Sequence, residues 1–190
     1  MHPILRCLSV VLCLGVLYPG GATSANADVS AAAAALEGSM QKLRFHDAPQ
    51  PVAMVRFETF DGAPISLADY AGKLTIVNFW ATWCAPCRKE MPMLSELQSE
   101  FGGDDFEVVT IATGRNAPNA MTRFFDQIGV DNLPLHRDPS GAVGQAMGVD
   151  ALPITVVLDP EGRELARMRG DADWASDSAK AMIRALLPQG

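Results

Sequence analysis

Two cysteines stand two residues apart in the run Trp83-Cys84-Ala85-Pro86-Cys87. Sulfurs at this spacing can close a small ring, share a metal, or pass electrons by exchanging a disulfide with another pair of sulfurs. A purely structural disulfide across two intervening residues would constrain little chain, because its stabilising effect grows with the loop it closes. A structural zinc site needs two further ligands. Of the chain's 4 cysteines, the other two, Cys7 and Cys13, lie in an apolar segment near the N-terminus, and His46 and His136 are isolated, as surface or loop residues are. Met91 and Met93 open a copper reading, with Cys84 and Cys87 as ligands of a copper-binding chaperone, since thiolate and thioether groups suit Cu(I). Met91 also falls on the apolar stripe of a helix, where packing accounts for it. Exchange asks least of the sequence: one thiolate and a second thiol within reach.

The elements that would position the pair are legible around it. Leu74 to Trp80 is a continuous apolar run suited to a strand buried on both faces. Residues 85–101 read as a helix, with Met91, Leu94, Leu97, Gln98 and Phe101 on one stripe and Gly102-Gly103 stopping it. Cys84 then falls at the helix N-terminus, where unpaired N–H groups and the helix dipole favour a negative sulfur. A thiol of pKa about 8.5 is only about 3% thiolate at pH 7, whereas one lowered to about 6.5 is mostly thiolate. That shift corresponds to about 2.7 kcal/mol in favour of the charged form. Cys87 follows one turn later on the same side, and Pro86 suits a first turn because its missing N–H would be unpaired there anyway.

Further along, Phe106 to Thr113 reads as a strand, Ala117 to Ile128 as a helix, Leu133 to His136 as a short strand and Ser140 to Met147 as another helix. Ile154 to Leu158 and Glu164 to Arg169 form a hairpin around Asp159-Pro160-Glu161-Gly162. Trp174 to Leu187 is a closing helix capped near Asp173. On the N-terminal side, Val52 to Phe60 alternates like a strand, turns at Asp61-Gly62 into Ile65-Ser66, and leads to a helical turn over Leu67 to Gly72. The order implies an α/β domain over residues 47–190 with a mixed central β-sheet flanked by helices.

Residues 1–27 have the features of a targeting segment: His2 and Arg6, an apolar run from Cys7 to Tyr18, the breaker Pro19-Gly20-Gly21, and the small residues Ala25-Asn26-Ala27. Both a cleaved signal peptide and a retained signal anchor fit, although the run is short of the roughly 20 apolar residues of a spanning helix. A lipoprotein reading fails because the large Leu12 precedes Cys13. Residues 28–46 read as a tether, with Ala31 to Leu43 able to form an alanine-rich helix that Ala48-Pro49-Gln50-Pro51 ends. The expected location is the periplasm, free or anchored to the inner membrane. There a lone cysteine pair either rests oxidised or is kept reduced by a dedicated donor. A formal charge of -7 excludes nucleic acid and anionic membrane surfaces as partners of the domain.

The stretch Asn78-Phe-Trp-Ala-Thr-Trp-Cys-Ala-Pro-Cys-Arg-Lys-Glu-Met-Pro-Met-Leu-Ser-Glu-Leu97, with Gly148 to Thr155 and Trp174-Ala175-Ser176, resembles the TlpA-like family of exported thioredoxin-like proteins. The likeness covers about residues 49–187. It implies a thioredoxin fold with an N-terminal extension and a central helical insertion. It also implies a monomeric enzyme without organic cofactor or metal, which works through a Cys84–Cys87 redox disulfide and reduces partner proteins. Those partners carry oxidised cysteine pairs, such as a copper chaperone or a cytochrome oxidase subunit; apocytochrome c is the rival substrate. An inner-membrane donor would supply the electrons. By the same resemblance Pro153 is a cis-proline beside the cysteines, and Leu152 shapes substrate contact; the bulky Trp83 beside Cys84 adds an apolar docking edge, with Pro86 a further contact residue. Many thioredoxins carry a buried aspartate where this chain has Asn78. Relatives have a glutamate at the spacing of Glu90, where a desolvated carboxylate can take the proton of Cys87. The competing reading of Glu90 is an exposed side chain in the helix's first turns.

Overall fold

A computed structural model describes residues 25–188 of the chain. The targeting segment expected over residues 1–27 thus lies outside the described residues, except for its last three, which begin helix α1 (Ala25–Ala34). The strands are β1 (Arg44–Gln50), β2 (Arg56–Glu58), β3 (Pro64–Ser66), β4 (Leu74–Trp80), β5 (Phe106–Thr113), β6 (His136–Asp138), β7 (Ile154–Leu158) and β8 (Glu164–Arg169). The other helices are α2 (Ala85–Phe101), α3 (Pro118–Ile128), α4 (Ala142–Ala146) and α5 (Asp177–Leu186). One mixed sheet runs in the order β1-β8-β7-β4-β5-β6-β2-β3. β4, β5 and β6 are parallel neighbours, and every other pairing is antiparallel.

The apolar run of β4 is buried at all seven positions because helices cover both faces of the sheet. Ile76 and Trp80 point into a core shared with Met91, Leu94 and Leu97 of α2, Phe124 and Phe125 of α3, and Met182 and Ile183 of α5. Val77 and Phe79 point the other way, into a smaller core with Leu67, Val143 of α4, and Ile154 and Val156. Between β5 and β7 the chain inserts α3, β6 and α4. His136, expected on the surface, is buried at the start of β6, hydrogen-bonded to the Tyr70 hydroxyl at 2.6 Å and edge-on to Phe57.

The segment read as a tether is part of the body of the fold. α1 ends at Ala34, a 3₁₀ turn covers Gly38–Lys42, and β1 then joins the sheet edge against β8. Ala32, Met40 and Leu43 lie in the main core. Pro49 obscured β1 in the sequence, because a proline reads as a breaker although an edge strand tolerates it. β1 is further held by His46 Nε2 at 2.9 Å from Glu164 Oε1, a carboxylate that also accepts from Arg167. The strand expected over Val52–Phe60 contracts to Arg56–Glu58, and α5 starts after Ser176, whose hydroxyl caps it, rather than near Asp173.

Met40 gives the direct measure of this anchoring, as its side chain is wholly buried. Met40→Ala is expected to lower the unfolding free energy by about 2–5 kcal/mol, read from the urea midpoint at an unchanged slope. A loss below about 0.5 kcal/mol, the range of surface substitutions, would return the segment to the status of a tether.

Candidate active site

The rigid end of β4 hands the chain to α2 through Ala81-Thr82-Trp83. Asn116, from the loop after β5, fixes that turn by accepting from the Thr82 backbone N–H at 2.8 Å and from its hydroxyl at 3.1 Å. Cys84 is the N-cap residue of α2, and its sulfur accepts from the Cys87 N–H at 3.3 Å. Pro86 occupies the first turn without wasting a donor. Cys84 and Cys87 are joined as a disulfide, with Cα atoms 5.3 Å apart. Cys84 is nearly buried and Cys87 entirely so, while the neighbouring Trp83 is 69% exposed. Trp80, by contrast, is core, packed against Phe124 and Phe125.

The antiparallel partner of β4 brings a second group to the same end of the sheet. Ile154 pairs with Phe79, and the Leu152–Pro153 peptide bond just before it is cis. The Pro153 carbonyl accepts from the Gly170 N–H at 2.9 Å, and half-buried Leu152 packs against both cores. Met91, half of the copper reading, is wholly buried in the main core, and Met93 packs against it.

Glu90 is not a solvated side chain. It sits on the stripe of α2 that also buries Cys87, Met91, Leu94 and Leu97, three residues beyond Cys87. Its Oε1 accepts from the Ala172 N–H at 3.0 Å and the Trp174 indole N–H at 2.8 Å; its Oε2 faces the Asn78 amide at 3.5 Å. Asn78 donates to Thr155 Oγ1 at 2.9 Å, which binds β4, β7 and α2 into one polar network within the apolar layer. Asn78 Oδ1 has no partner among the described residues. The Asn78 NH2 group is placed to donate to a Glu90 carboxylate.

Burial pushes the Glu90 carboxyl up to about 7, against the pull of its three N–H donors and with a further push from the charge of Asp171. A cleft of about 260 Å3, lined by Ser39, Lys42, Lys89, Met93, Asp171 and Asp173, leads from Glu90 to solvent. The N-terminal extension forms its outer wall. Ser39 Oγ accepts from the Asp173 N–H at 2.9 Å, and Lys42 donates to the Asp171 carbonyl at 2.7 Å.

Sequence reasoning placed both cysteines, Glu90, Trp83, Pro86, Leu152 and Pro153 near one another, and the structure brings them to one end of the sheet. It missed Asn116, Thr155, Ala172 and Trp174. Trp174 carries a usable signal, since a buried indole needs an acceptor for its N–H, but the sequence pattern places it in the closing helix. Ala172 acts through its backbone and carries no signal of its own.

A mixed sheet flanked by helices is thus combined with a disulfide-bonded Cys-X-X-Cys pair at a helix start and a cis-proline beside the central strand. Together they define a thioredoxin-fold protein with a dithiol–disulfide centre. The Redoxin family model matches residues 47–183, and the chain belongs to that family. It is 35% identical over 124 residues to the thiol-disulfide oxidoreductase ResA of Bacillus subtilis, covering 65% of this chain and 66% of that one. It is 38% identical over 109 residues to the thiol:disulfide interchange protein HelX of Rhodobacter capsulatus, covering 57% and 59%. The chain therefore spans just under two thirds of the length of these curated relatives. Among solved structures, a DsbF homologue from Corynebacterium diphtheriae superposes with a TM-score of 0.62 at 30% identity, over 75% of this chain and 92% of the other.

The raised Glu90 carboxyl has a consequence for stability. In the unfolded chain the group titrates near 4.5, so between 4.5 and about 7 only the folded state holds the proton. The associated stability is fully present below the lower value, declines as pH rises, and is gone above the higher one. Glu90→Gln keeps the shape and the acceptor oxygen and removes the titration. Across this window wild type is expected to lose about 3 kcal/mol relative to the variant, measured by urea unfolding at a series of pH values. Parallel stability curves would show that the carboxyl is ionised throughout.

Proposed function

We propose that this protein is an exported thiol–disulfide oxidoreductase that works as a reductase of partner protein disulfides. The observation that carries the reading is the Cys84–Cys87 disulfide at the start of α2, with the first sulfur at the helix N-cap and the second buried beside Glu90. In the reduced protein the Cys84 thiolate attacks one sulfur of a partner disulfide. A Cys84–partner bond forms, the partner bond breaks, and the released sulfur takes a proton from solvent. Cys87 gives its proton to the Glu90 carboxylate and attacks Cys84 Sγ. The Cys84–Cys87 bond forms, and the second partner sulfur leaves as a thiolate that is protonated in turn. Two electrons reach the partner. Glu90 returns its proton through the cleft under Lys42 and Asp171, and a donor dithiol restores the pair.

Trp83, next to Cys84, and Leu152, before the cis-proline at the same end of the sheet, supply the apolar contact for the partner chain. The resemblance to the TlpA-like family supports partners in cytochrome oxidase and copper-site assembly, with apocytochrome c as the second candidate. The same resemblance and the composition of residues 1–27 support a periplasmic location and an inner-membrane electron donor.

Alkylation of the reduced protein at pH about 6–7, below the ordinary thiol range, is expected to label Cys84 first. Cys87→Ser is expected to accumulate mixed disulfides with protein substrates. Cys84→Ser should trap none and reduce a protein disulfide at least about a hundredfold more slowly than wild type. Preferential labelling of Cys87, or full activity in Cys84→Ser, would overturn the assignment.

A further inference from the structure

The charge of this protein is distributed against its net sign around the cysteine pair. Arg88 and Lys89 are exposed on the first turns of α2, Arg115 on the loop after β5 and Arg123 on α3. None of the four takes part in an ion pair among the described residues, in a chain of formal charge -7. The carboxylates of α2 that could offset them are engaged elsewhere: Glu96 with Lys180, and Glu100 with Lys180 and Arg184. They stand about 12–18 Å farther along the helix axis, beyond the ~8 Å over which exposed charges act at physiological salt. On the opposite flank, Asp150 is paired with Arg169 and Asp171 with Lys42. Asp126, one turn after Arg123, is the exposed carboxylate of α3.

Between α2 and α3 lies a cleft of about 260 Å3, bordered by Trp83, Arg88, Arg123, Phe124 and Gln127. The Arg88 guanidinium lies 4.5 Å from the centre of the Phe124 ring. Stacking holds the planar group in place and leaves its N–H edge available to a carboxylate. Exposed Trp83 forms the wall next to Cys84. A partner segment lying here meets an apolar wall beside its reactive sulfur and two guanidinium groups beyond it.

We propose that this cleft selects partner segments that carry an acidic side chain close to the disulfide to be reduced, with Arg123 and Arg88 as the specificity-determining residues. The proposal rests on the reductase reading and adds to it the chemical class of the substrate. The overall negative charge does not defeat it, because Arg88, Lys89, Arg115 and Arg123 outnumber the one uncompensated carboxylate of α3, Asp126, and Glu96 and Glu100 stand beyond a screening length.

The test uses the reduced protein and three peptides of identical length with one internal disulfide, flanked by Glu, Gln or Lys pairs. Reduction is expected in the order Glu, Gln, Lys, with about a tenfold span at low salt that shrinks as ionic strength rises. Arg123→Gln is expected to compress the ratio of Glu to Lys rates, and Arg123→Glu to invert it, with circular dichroism recording the fold; Arg123→Lys should largely restore it. A small neutral disulfide, reduced by wild type, reports on exchange itself. Equal rates for the three peptides beside rapid reduction of the neutral compound would overturn the acidic preference and leave the reductase reading intact. A preference that survives Arg123→Glu unchanged would overturn the assignment to this cleft. Failure to reduce any disulfide would overturn both.

Discussion

A strand with nowhere to go sets the terms for this molecule. β4 is paired along both edges, with β5 on one side and β7 on the other, and covered on both faces. Its backbone groups are therefore satisfied by neighbours that are themselves in the core, and its last residue cannot shift without disturbing the sheet. Whatever follows Trp80 inherits that fixed position. A short turn tied to Asn116 then suffices to place Cys84 on the end of α2, where the helix supplies part of the stabilisation a thiolate needs, worth about 0.3–1 kcal/mol at an exposed terminus and up to ~2 in partly buried ones.

The same confinement dictates what happens to the polar residues on the strand. Asn78 points into an apolar layer, where a polar group left without a partner costs about 1–3 kcal/mol. Thr155 on the adjoining strand and Glu90 on the covering helix answer that demand for its NH2 group, while its Oδ1 has no partner among the described residues. Glu90 in turn needs donors, and the loop between β8 and α5 supplies them through Ala172 and Trp174. That loop is held from outside by Ser39 and Lys42. A chain of contacts thus runs from the central strand to the N-terminal extension, and its inner links, Asn78 to Glu90 to Ala172 and Trp174, are all buried.

How much of this could be read in advance depended on whether a feature was local. The apolar run of β4, the stripe of α2, the hairpin of β7 and β8, and the cysteine spacing are each written in contiguous residues, and the structure follows them. β1 was not legible because its membership of the sheet comes from pairing with β8, more than a hundred residues away, and Pro49 argued locally for a break. Helix α5 is shorter than its sequence suggests, because Trp174 and Ala175 look helical locally, whereas the Trp174 indole is committed to Glu90 before the helix begins. The raised carboxyl of Glu90 is implied by resemblance, but its cause is burial, which outweighs the pull of donors from β4 and the loop before α5, and that packing brings together segments that no single stretch of sequence contains.

The margins of the sheet bear on how such a protein coexists with extended chains. β1 and β3 are its two outermost strands, and each contains a proline, Pro49 and Pro64. A residue that lacks an N–H breaks the ladder an incoming strand would need, and the register of β1 is irregular besides. Extended polypeptides thus meet sheet borders poorly suited to annealing.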